Sequence, residues 1–551
     1  MNYKITNGLL IDPVQKINTV KQDLLIKSGV IVSRFDETDK FEEIDCSNMI
    51  VMAGAIDMHT HIGGGKANLS RMLLPEDHYL NSSAKNSLEI ASSGHCTPGT
   101  FRTGYRYTEM GYTAAFEPAM IFSNARQSHM EMGDTPILDH GAYVMLGNDE
   151  LFLEMLASNK GHEMIRDYVG WAISASKSMG VKIVNPGGIS AFKFNQRSLD
   201  VDQNHDHWQI SPRQIVKELA LCLSDLGVPH PLHIHASNLG VPGNIKSTLE
   251  TIDALEGLPG HLTHVQFHSY GTEGDKNFSS AARILVEKLK ACPNISIDVG
   301  QIIFGQTVTA SGDTMKQHLN SGFSNPKKWV VGDIECDAGC GVVPFKYKEK
   351  SFVNALQWAI GLEIFLLMDD PWRVVLTTDH PNGGPFTSYP HLIRLLTDKS
   401  FRDEQLNKLH PDVLAHTVLK EIKKELSLYE IAILTRSAPA KLLGLSNYGN
   451  LKVGSFADIA IYSQNVNFEK MFQKPKYVFK DGMLVCKDGD ICGTPVGGVH
   501  VVETNYDSNI KKYISGFYEK NIVSNFAHAE IGNDELQVCA NGGKILVTSP
   551  N

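Results

Sequence analysis

The chain has 551 residues and a formal net charge of −10, with 42% hydrophobic and 20% charged residues, a composition typical of a globular protein with one large and one smaller domain. Because the acidity is mild and no block of lysine and arginine occurs, a nucleic-acid partner is not expected. No apolar run approaches the roughly 20 residues that cross a bilayer, and the start of the chain lacks a basic-then-apolar leader, so we expect a cytoplasmic protein without a membrane partner.

Both ends of the chain are predicted to form short strands separated by turns. Residues 3–11 and 23–26 are apolar runs that end at turn residues, and residues 478–485 form a hairpin pattern around an Asp-Gly turn. Such β-branched runs, punctuated by Gly, Pro and Asp, are typical of hairpins. We therefore expect residues 1–54 and 446–500 to pair into one small composite β-sandwich.

The middle of the chain alternates between apolar, β-rich runs and segments with helical periodicity. The β-rich runs include 181–184, 232–234, 295–299 and 374–376, and the helical segments include 212–226 and 281–289. This alternation is typical of a parallel sheet whose strands are joined by helices. Residues 55–445 are therefore predicted to form an α/β fold, a (β/α)8 or TIM barrel with insertions, and residues 501–551 a C-terminal extension packed on the surface.

The sharpest local signal is the segment Asp57-Met58-His59-Thr60-His61, which directly follows the apolar run 50–56. Residues two apart on a strand point the same way, so His59 and His61 are expected to project together from the end of the first barrel strand. Barrel enzymes place their active sites at that end, and two imidazoles on one face are good ligands for Zn²⁺. A chance His-x-His pair is common, but this position favours a metal site.

Lys182 lies in the centre of the apolar run 180–184. Burial of an ammonium is costly, so desolvation lowers the pKa of the side chain, and a neutral amine can react with CO2 to give a carbamate. A carbamate offers two anionic oxygens that can bridge a pair of metal ions. The ordinary alternative is a lysine that extends to solvent, and Lys177, in a polar helix-like stretch, is a weaker competitor.

Two histidine clusters follow at the ends of the next β-rich runs. The first offers His235 as a ligand, with His233 on the same face as its rival, and the second offers His264, with His268 close behind it. An isolated buried histidine is more often a core residue than a ligand. Because these clusters end successive strands of one predicted barrel, a metal-binding role is favoured.

Asp379 ends the apolar run 374–378 and enters a loop rich in Gly and Pro. A carboxylate there can contact a metal ion and move a proton from the attacking water to the leaving nitrogen. An aspartate at a strand end can also simply cap a turn. The other expected ligands favour the catalytic role.

Taken in chain order, these residues resemble the ligand set of the binuclear amidohydrolase superfamily. More closely, the chain is similar to the A-subunit family of formylmethanofuran dehydrogenase, over nearly its whole length. The segments that carry this resemblance are 75–78, 105–113, 182–188, 238–244, 266–271, 377–382 and 436–441. Segments 299–307 and 333–341 are more similar to the bacterial form of this family, which belongs to a formyltransferase/hydrolase complex.

The resemblance implies a function in one-carbon metabolism. In the bacterial complex, the A subunit releases formate from a formylated methanofuran-like carrier during formaldehyde oxidation, beside a B subunit similar to molybdopterin enzymes and a formyltransferase subunit. In methanogens the related protein joins formate to methanofuran during CO2 reduction. The two settings use one reaction read in opposite directions, and the bacterial setting is favoured here.

The implied cofactors are two divalent metal ions, expected to be Zn²⁺, bridged by carboxylated Lys182 and by hydroxide. His59 and His61 are expected to hold one ion and His235 and His264 the other, while Asp379 moves the proton. The resemblance also suggests side chains for formate or for an acidic tail of the carrier. These substrate-binding candidates are Arg102, Arg106, Asn238, His268 and His380.

Two other functions remain open at this point. A hydrolase of cyclic amides, of the dihydropyrimidinase or hydantoinase type, would share the metal ligands and differ in its pocket. A non-catalytic scaffold protein would have no need of six intact ligand positions, and a purified chain without metal would favour it.

Overall fold

The computed structural model describes residues 1–82, 84–311 and 341–550. Eight of the described strands run parallel in one curled sheet, and they are numbered here from first to eighth in chain order. They are Ala55–Asp57, Tyr112–Met120, Asp139–Met145, Gly180–Val184, Leu232–His235, Gly260–Leu262, Ile295–Asp298 and Val374–Val375. Each strand pairs with its neighbour in chain order. A parallel bridge between Thr60 and His380 links the first and last strands, so the predicted barrel is confirmed.

Helices follow the strands and cover the sheet. The helix Pro212–Asp225 shows why such a segment forms: Ser211 and Gln214 make a capping box at its start, and Pro212 occupies the first turn. Its buried residues recur every three or four positions and form one apolar stripe, namely Ile215, Val216, Leu219, Ala220, Cys222 and Leu223.

The described α-helices have the following bounds. They are Gly65–Met72, Pro75–Leu80, Thr100–Thr108, Ala125–Gly133, Glu150–Ala157, His162–Ser176, Gly188–Lys193, Pro212–Asp225, Ile245–Ala254, Ala282–Ala291, Phe352–Leu367, Tyr389–Thr397, Lys399–Asn407, Leu428–Ala432, Ala438–Leu442, Phe468–Gln473, Ile510–Asn521 and Asn533–Cys539. Within the described part of the chain, none of them is both long and apolar enough to cross a membrane.

Two further sheets are built from the ends of the chain. A four-stranded sheet contains Asn2–Thr6, Leu24–Lys27, Val30–Val32 and Phe41–Asp45. A seven-stranded sheet contains Leu9–Asp12, Ile17–Lys21, Met49–Ala53, Ile459–Ser463, Tyr477–Lys480, Met483–Lys487 and Asp490–Ile491. The antiparallel pairing of Met49–Ala53 with Ile459–Ser463 joins the two ends, and the buried side chains of Ile5, Ile26 and Phe479 belong to one core cluster.

The end of the chain adds two strands that the sequence analysis did not predict. Val499–Val502 pairs in parallel with the third barrel strand at His140, and Ile545–Thr548 pairs with Val499–Val502. This position is available because the third and fourth strands pair only from Tyr143 onward. The terminal segment is therefore part of the sheet as well as a surface extension.

A β-hairpin follows the seventh barrel strand and carries Thr309 toward the carboxyl face of the barrel. It consists of Gly305–Ser311 and Gly341–Tyr347, and a second short pair consists of Tyr270–Gly271 and Ser279–Ser280. Most of the segment 333–341, which resembles the bacterial form of the family, lies outside the described residues.

Candidate metal centre

A cavity opens at the carboxyl ends of the barrel strands. Its wall is formed by His59, His61, Lys66, Ala119, Lys182, Val184, His235, Leu239, His264, Phe267, Thr309, Asp379 and Asn382. All six residues that the sequence analysis assigns to metal binding are in this wall. Side chains far apart in the sequence meet here because parallel strands bring their carboxyl ends to one face of the barrel.

His59 and His61 direct their Nε2 atoms toward one carboxylate oxygen of Asp379. The distances to Asp379 Oδ1 are 3.1 Å from His59 and 3.4 Å from His61. Burial alone would raise the pKa of Asp379, but the imidazoles of His264, His59 and His61 hold it well below its usual range. The carboxylate is therefore ionised. Burial alone would lower the pKa of His59 and His61, but the neighbouring carboxylates raise both, that of His61 to about 9. Two imidazoles with one carboxylate form a donor set for a divalent metal, and binding of the metal would release the proton of His61.

His235, His264 and His268 form a second group beside the first. Their ring centroids lie between 4.6 and 5.3 Å apart. His235 Nε2, His264 Nδ1 and both ring nitrogens of His268 are buried without a hydrogen-bond partner in the described part of the chain. Burial lowers the pKa of all three, for His268 to about 3, so the rings are neutral and can act as metal ligands.

Lys182 lies between these two groups, with every residue of its strand buried. Its Nζ donates to the hydroxyl of Thr263 at 3.2 Å. Burial lowers the pKa of Lys182 to about 7, against the opposing effect of the Asp298 and Asp379 carboxylates. A substantial fraction of the side chain is therefore a neutral amine near pH 7, the form that a carbamate requires.

The carboxylate of Glu117, on the second barrel strand, holds His61 and the backbone after it. Glu117 accepts hydrogen bonds from His61 Nδ1 at 2.8 Å, from the backbone N–H of Ile62 at 2.8 Å and from that of Gly63 at 3.2 Å. His61 Nε2 is thus left free to face Asp379. Glu117 was not among the predicted site residues, although a single acidic residue in a buried strand is a signal.

Asp298, at the end of the seventh strand, holds two of the predicted ligands, His59 and His264, in the same way. It is fully buried and accepts from His59 Nδ1 at 3.0 Å, from the backbone N–H of His264 at 2.8 Å and from Thr377 Oγ1 at 2.8 Å. It was also missed, although it is the only charged residue in the apolar run 295–299. Such partners orient metal ligands and fix their tautomers.

The structure separates the two rival histidines of the fifth strand. His235 lines the cavity. His233 lies deeper in the barrel, where its Nε2 is 3.0 Å from His59 Nδ1 and its Nδ1 is 2.9 Å from His230 Nε2. Both ring nitrogens of His233 therefore have partners, which leaves His235 as the residue available to a ligand in the cavity.

Gly300 allows the two sides of the site to approach each other. Its φ is +64°, and an added Cβ would overlap the Cβ of His264 and lie 3.5 Å from the Cβ of Asp379. His264 and Asp379 themselves have φ of +36° and +50°, a region that most side chains avoid. Local strain at these positions is typical of functional sites.

Comparison with known proteins identifies the family. A family model described as "Amidohydrolase family" matches residues 42–485. The chain belongs to the amidohydrolase family. It is also 40% identical over 524 residues, 94% of each chain, to the A subunit of the formyltransferase/hydrolase complex Fhc of Methylorubrum extorquens.

Two other similar proteins support the same assignment. This amidohydrolase is 40% identical over 530 residues to protein FwdA of Methanocaldococcus jannaschii, covering 93% of this chain and 92% of the relative. The X-ray structure of the complex FhcABCD from Methylorubrum extorquens, determined with methylofuran, matches with a TM-score of 0.93 and 37% identity over 100% of both chains. The resemblance and the fold inferred from the sequence are thereby confirmed.

The cavity of this amidohydrolase fits divalent metal ions. At or directly behind its wall, two groups of residues have potential ligand atoms that all lie within 4.8 Å of one another: His235 with His264 and His268, and His59 with His264 and Asp379. Buried polar atoms without partners are costly, so the free nitrogens of the first group indicate a ligand. Nitrogen and carboxylate oxygen are the donors that zinc and similar ions bind.

Three of the predicted substrate-binding residues do not line this cavity and have other partners. Arg102 is buried and pairs with Glu89 at 3.2 Å, and Arg106 pairs with Glu109 at 3.3 Å. Asn238 is buried and donates to Ser247 Oγ at 2.8 Å and to Asp200 Oδ1 at 3.1 Å.

The other two substrate-binding candidates are close to the ligand residues. His268 stacks on His264 with ring centroids 5.3 Å apart. His380 follows Asp379, its carbonyl accepts from the backbone N–H of His61 at 2.9 Å, and its Nδ1 accepts from the backbone N–H of Phe386. Of the five candidates, His268 has the greatest capacity to bind a further group, because neither of its ring nitrogens has a partner among the described residues.

Proposed function

We propose that this amidohydrolase hydrolyses the N-formyl amide of a formylated methanofuran-like carrier to formate and the free amine. The observation that carries the proposal is the 40% identity to the Fhc protein of Methylorubrum extorquens over 94% of both chains. It is supported by the meeting of all six expected ligand residues in one cavity. The reaction belongs to formaldehyde oxidation in one-carbon metabolism.

The proposed cofactors are two divalent ions, expected to be Zn²⁺. His59, His61 and Asp379 would hold one ion, His235 and His264 the other, and a carboxylated Lys182 would be shared between them. When bound, such ions polarise a carbonyl group and lower the pKa of water to about 7. The neutral rings of His235 and His264 and the lowered pKa of Lys182 support this arrangement.

Asp379 is the proposed proton carrier. Hydrolysis forms one C–O bond from water, breaks the C–N bond of the formamide and moves a proton from the water to the leaving nitrogen. The ionised carboxylate of Asp379 can accept that proton and then deliver it to the amine. His59 and His61 face the same carboxylate oxygen, and they hold it where the proton is exchanged.

A hydrolysis assay tests the proposed function. The metal-loaded protein, purified with its partner subunits, is expected to release formate from the formylated carrier and to leave a cyclic amide such as dihydrouracil intact. Turnover of the cyclic amide without formate release would instead support a hydrolase of the dihydropyrimidinase type. Tandem affinity purification tests the proposed partners, a B subunit similar to molybdopterin enzymes and a formyltransferase subunit.

The 40% identity to FwdA favours a second candidate, the corresponding subunit of a formylmethanofuran dehydrogenase. In that setting the same site would join formate to methanofuran. Copurification with an active tungsten or molybdenum enzyme that reduces CO2 would support this candidate over the first. The boundaries 1–54, 55–445, 446–500 and 501–551 remain a proposed division of the chain, and the cytoplasmic location remains a prediction.

A further inference from the structure

A chain of hydrogen-bonded imidazoles lies inside the barrel beneath the proposed metal centre. His59 Nδ1 is 3.0 Å from His233 Nε2, and His233 Nδ1 is 2.9 Å from His230 Nε2. The chain ends at a backbone carbonyl, since His230 Nδ1 is 3.0 Å from the oxygen of Leu442. All three rings are buried, so these contacts are shielded from water.

The carbonyl of Leu442 fixes the direction of every hydrogen bond in this chain. A carbonyl oxygen only accepts, so His230 must carry its proton on Nδ1. Burial lowers the pKa of His230 to about 3, so the ring is neutral and its Nε2 is an acceptor. His233 must then donate from Nδ1, which leaves His233 Nε2 as an acceptor that faces His59.

This direction of the hydrogen bonds places the proton of His59 on Nδ1, the tautomer that leaves Nε2 able to bind a metal ion. His59 Nδ1 lies 3.0 Å from His233 Nε2 and 3.0 Å from Asp298 Oδ2, and both of these atoms can accept a hydrogen bond from its N–H. With this proton on Nδ1, a neutral His59 has its lone pair on Nε2, the atom that faces Asp379. If His233 carried its proton on Nε2, that hydrogen would oppose the Nδ1–H of His59.

We propose that His230 and His233 form a tautomer relay that positions His59 as a metal ligand. His230 acts through His233, and His233 supplies a second acceptor beside Asp298, so that the His59 proton stays on Nδ1. Neither residue is in the wall of the cavity, so both are positioning residues. The inference rests on the proposed function, because it assumes that His59 binds a metal ion.

Asparagine and glutamine provide a matched pair of substitutions at position 230. In H230N the amide nitrogen of asparagine takes the place of His230 Nδ1. The hydrogen bond to the Leu442 carbonyl is therefore kept, and the acceptor for His233 Nδ1–H is lost. In H230Q the amide oxygen replaces Nε2, so the acceptor is kept. We expect zinc affinity, measured by chelator competition on the purified complex, to fall about tenfold in H230N and to stay near wild type in H230Q.

A double-mutant cycle separates the relay from a general effect on folding. Because His230 acts through His233, the loss caused by H230N should disappear in an H233F background. Unchanged affinity in H230N, equal losses in H230N and H230Q, or a loss that persists in H233F would each overturn the relay. The thermal midpoint of the metal-free variants establishes that they fold.

The wild-type protein provides a test that needs no variant. In the zinc-loaded, ¹⁵N-histidine-labelled protein we expect protonated Nδ1 and unprotonated Nε2 for His230 and His233. A protonated Nε2 on His233 would overturn the relay even if H230N failed to fold. A wild-type protein that binds no zinc would instead overturn the proposed metal centre, so the two failures are distinguishable.

Discussion

Replacement of Glu117 by glutamine should weaken metal binding without unfolding the barrel. One carboxylate oxygen of Glu117 accepts from His61 Nδ1, and the other accepts from the backbone N–H groups of Ile62 and Gly63. The glutamine side chain has only one oxygen. If that oxygen accepts from the backbone N–H groups of Ile62 and Gly63, the NH2 group must face the Nδ1–H of His61, and two donors then oppose each other. His61 then loses a charge-assisted partner, worth about 1.5–3 kcal/mol.

This loss translates into a measurable change in affinity. Partners of this kind typically change metal affinity by about 10- to 100-fold when they are mutated, which corresponds to about 1.4–2.8 kcal/mol. The assay is zinc binding by chelator competition, with the thermal midpoint of the metal-free protein as a measure of folding.

E131Q is the matched control for E117Q. Glu131 accepts from the backbone N–H of Gly64 at 2.7 Å in the same loop, but the structure shows no hydrogen bond from it to a proposed metal ligand among the described residues. Wild-type zinc affinity in E117Q, or the same loss in E131Q, would refute the argument that Glu117 acts by orienting His61.

Three further predictions concern packing, carbamate formation and stability. G300A should lower zinc affinity while the barrel stays folded, because the added Cβ overlaps His264; zinc titration with circular dichroism checks it, and an unchanged affinity would contradict it. The initial rate of carbamate formation on Lys182 should rise about tenfold from about pH 6 to about pH 8 at constant dissolved CO2, because the rate follows the neutral amine, which accumulates above a pKa of about 7. The rate is measured by ¹³CO2 NMR, and a rate that falls with pH would count against the prediction. K480M should lower the free energy of unfolding by about 3–5 kcal/mol, since it leaves the buried Asp139 without its ammonium partner at 2.9 Å. Denaturant unfolding tests this prediction. A change below about 1 kcal/mol would show that the buried pair is not required for stability.

The barrel and the composite sheets could be predicted because their patterns are local. The apolar runs 181–184 and 232–234 became strands, and the Asp-Gly turn at 481–482 became a hairpin. The strand Val499–Val502 was missed because it is a short apolar run whose partner, the third barrel strand, is far away in the sequence. A local sequence pattern can predict that a strand forms, but it does not predict which strand it pairs with.

The meeting of the proposed ligand residues in one cavity could be predicted for a similar reason, whereas their supporting residues could not. His59, His61 and Asp379 stand at strand ends, where topology alone brings side chains together. Glu117 and Asp298 each appear as one acidic residue in an apolar strand, and no local sequence pattern indicates which histidine each of them contacts. In the proposed relay the tautomer of His59 depends on the backbone carbonyl of Leu442, which is distant from His59 in the sequence, so only the folded chain reveals the connection.

Metal content and formate release, measured together in the wild type and in D379N, test the central claim most directly. We predict two zinc ions per chain and formate release in the wild type, and loss of formate release in D379N, because an amide cannot accept the proton that Asp379 is proposed to carry. A metal-free wild-type protein that releases formate, or a D379N variant with wild-type turnover, would contradict the account.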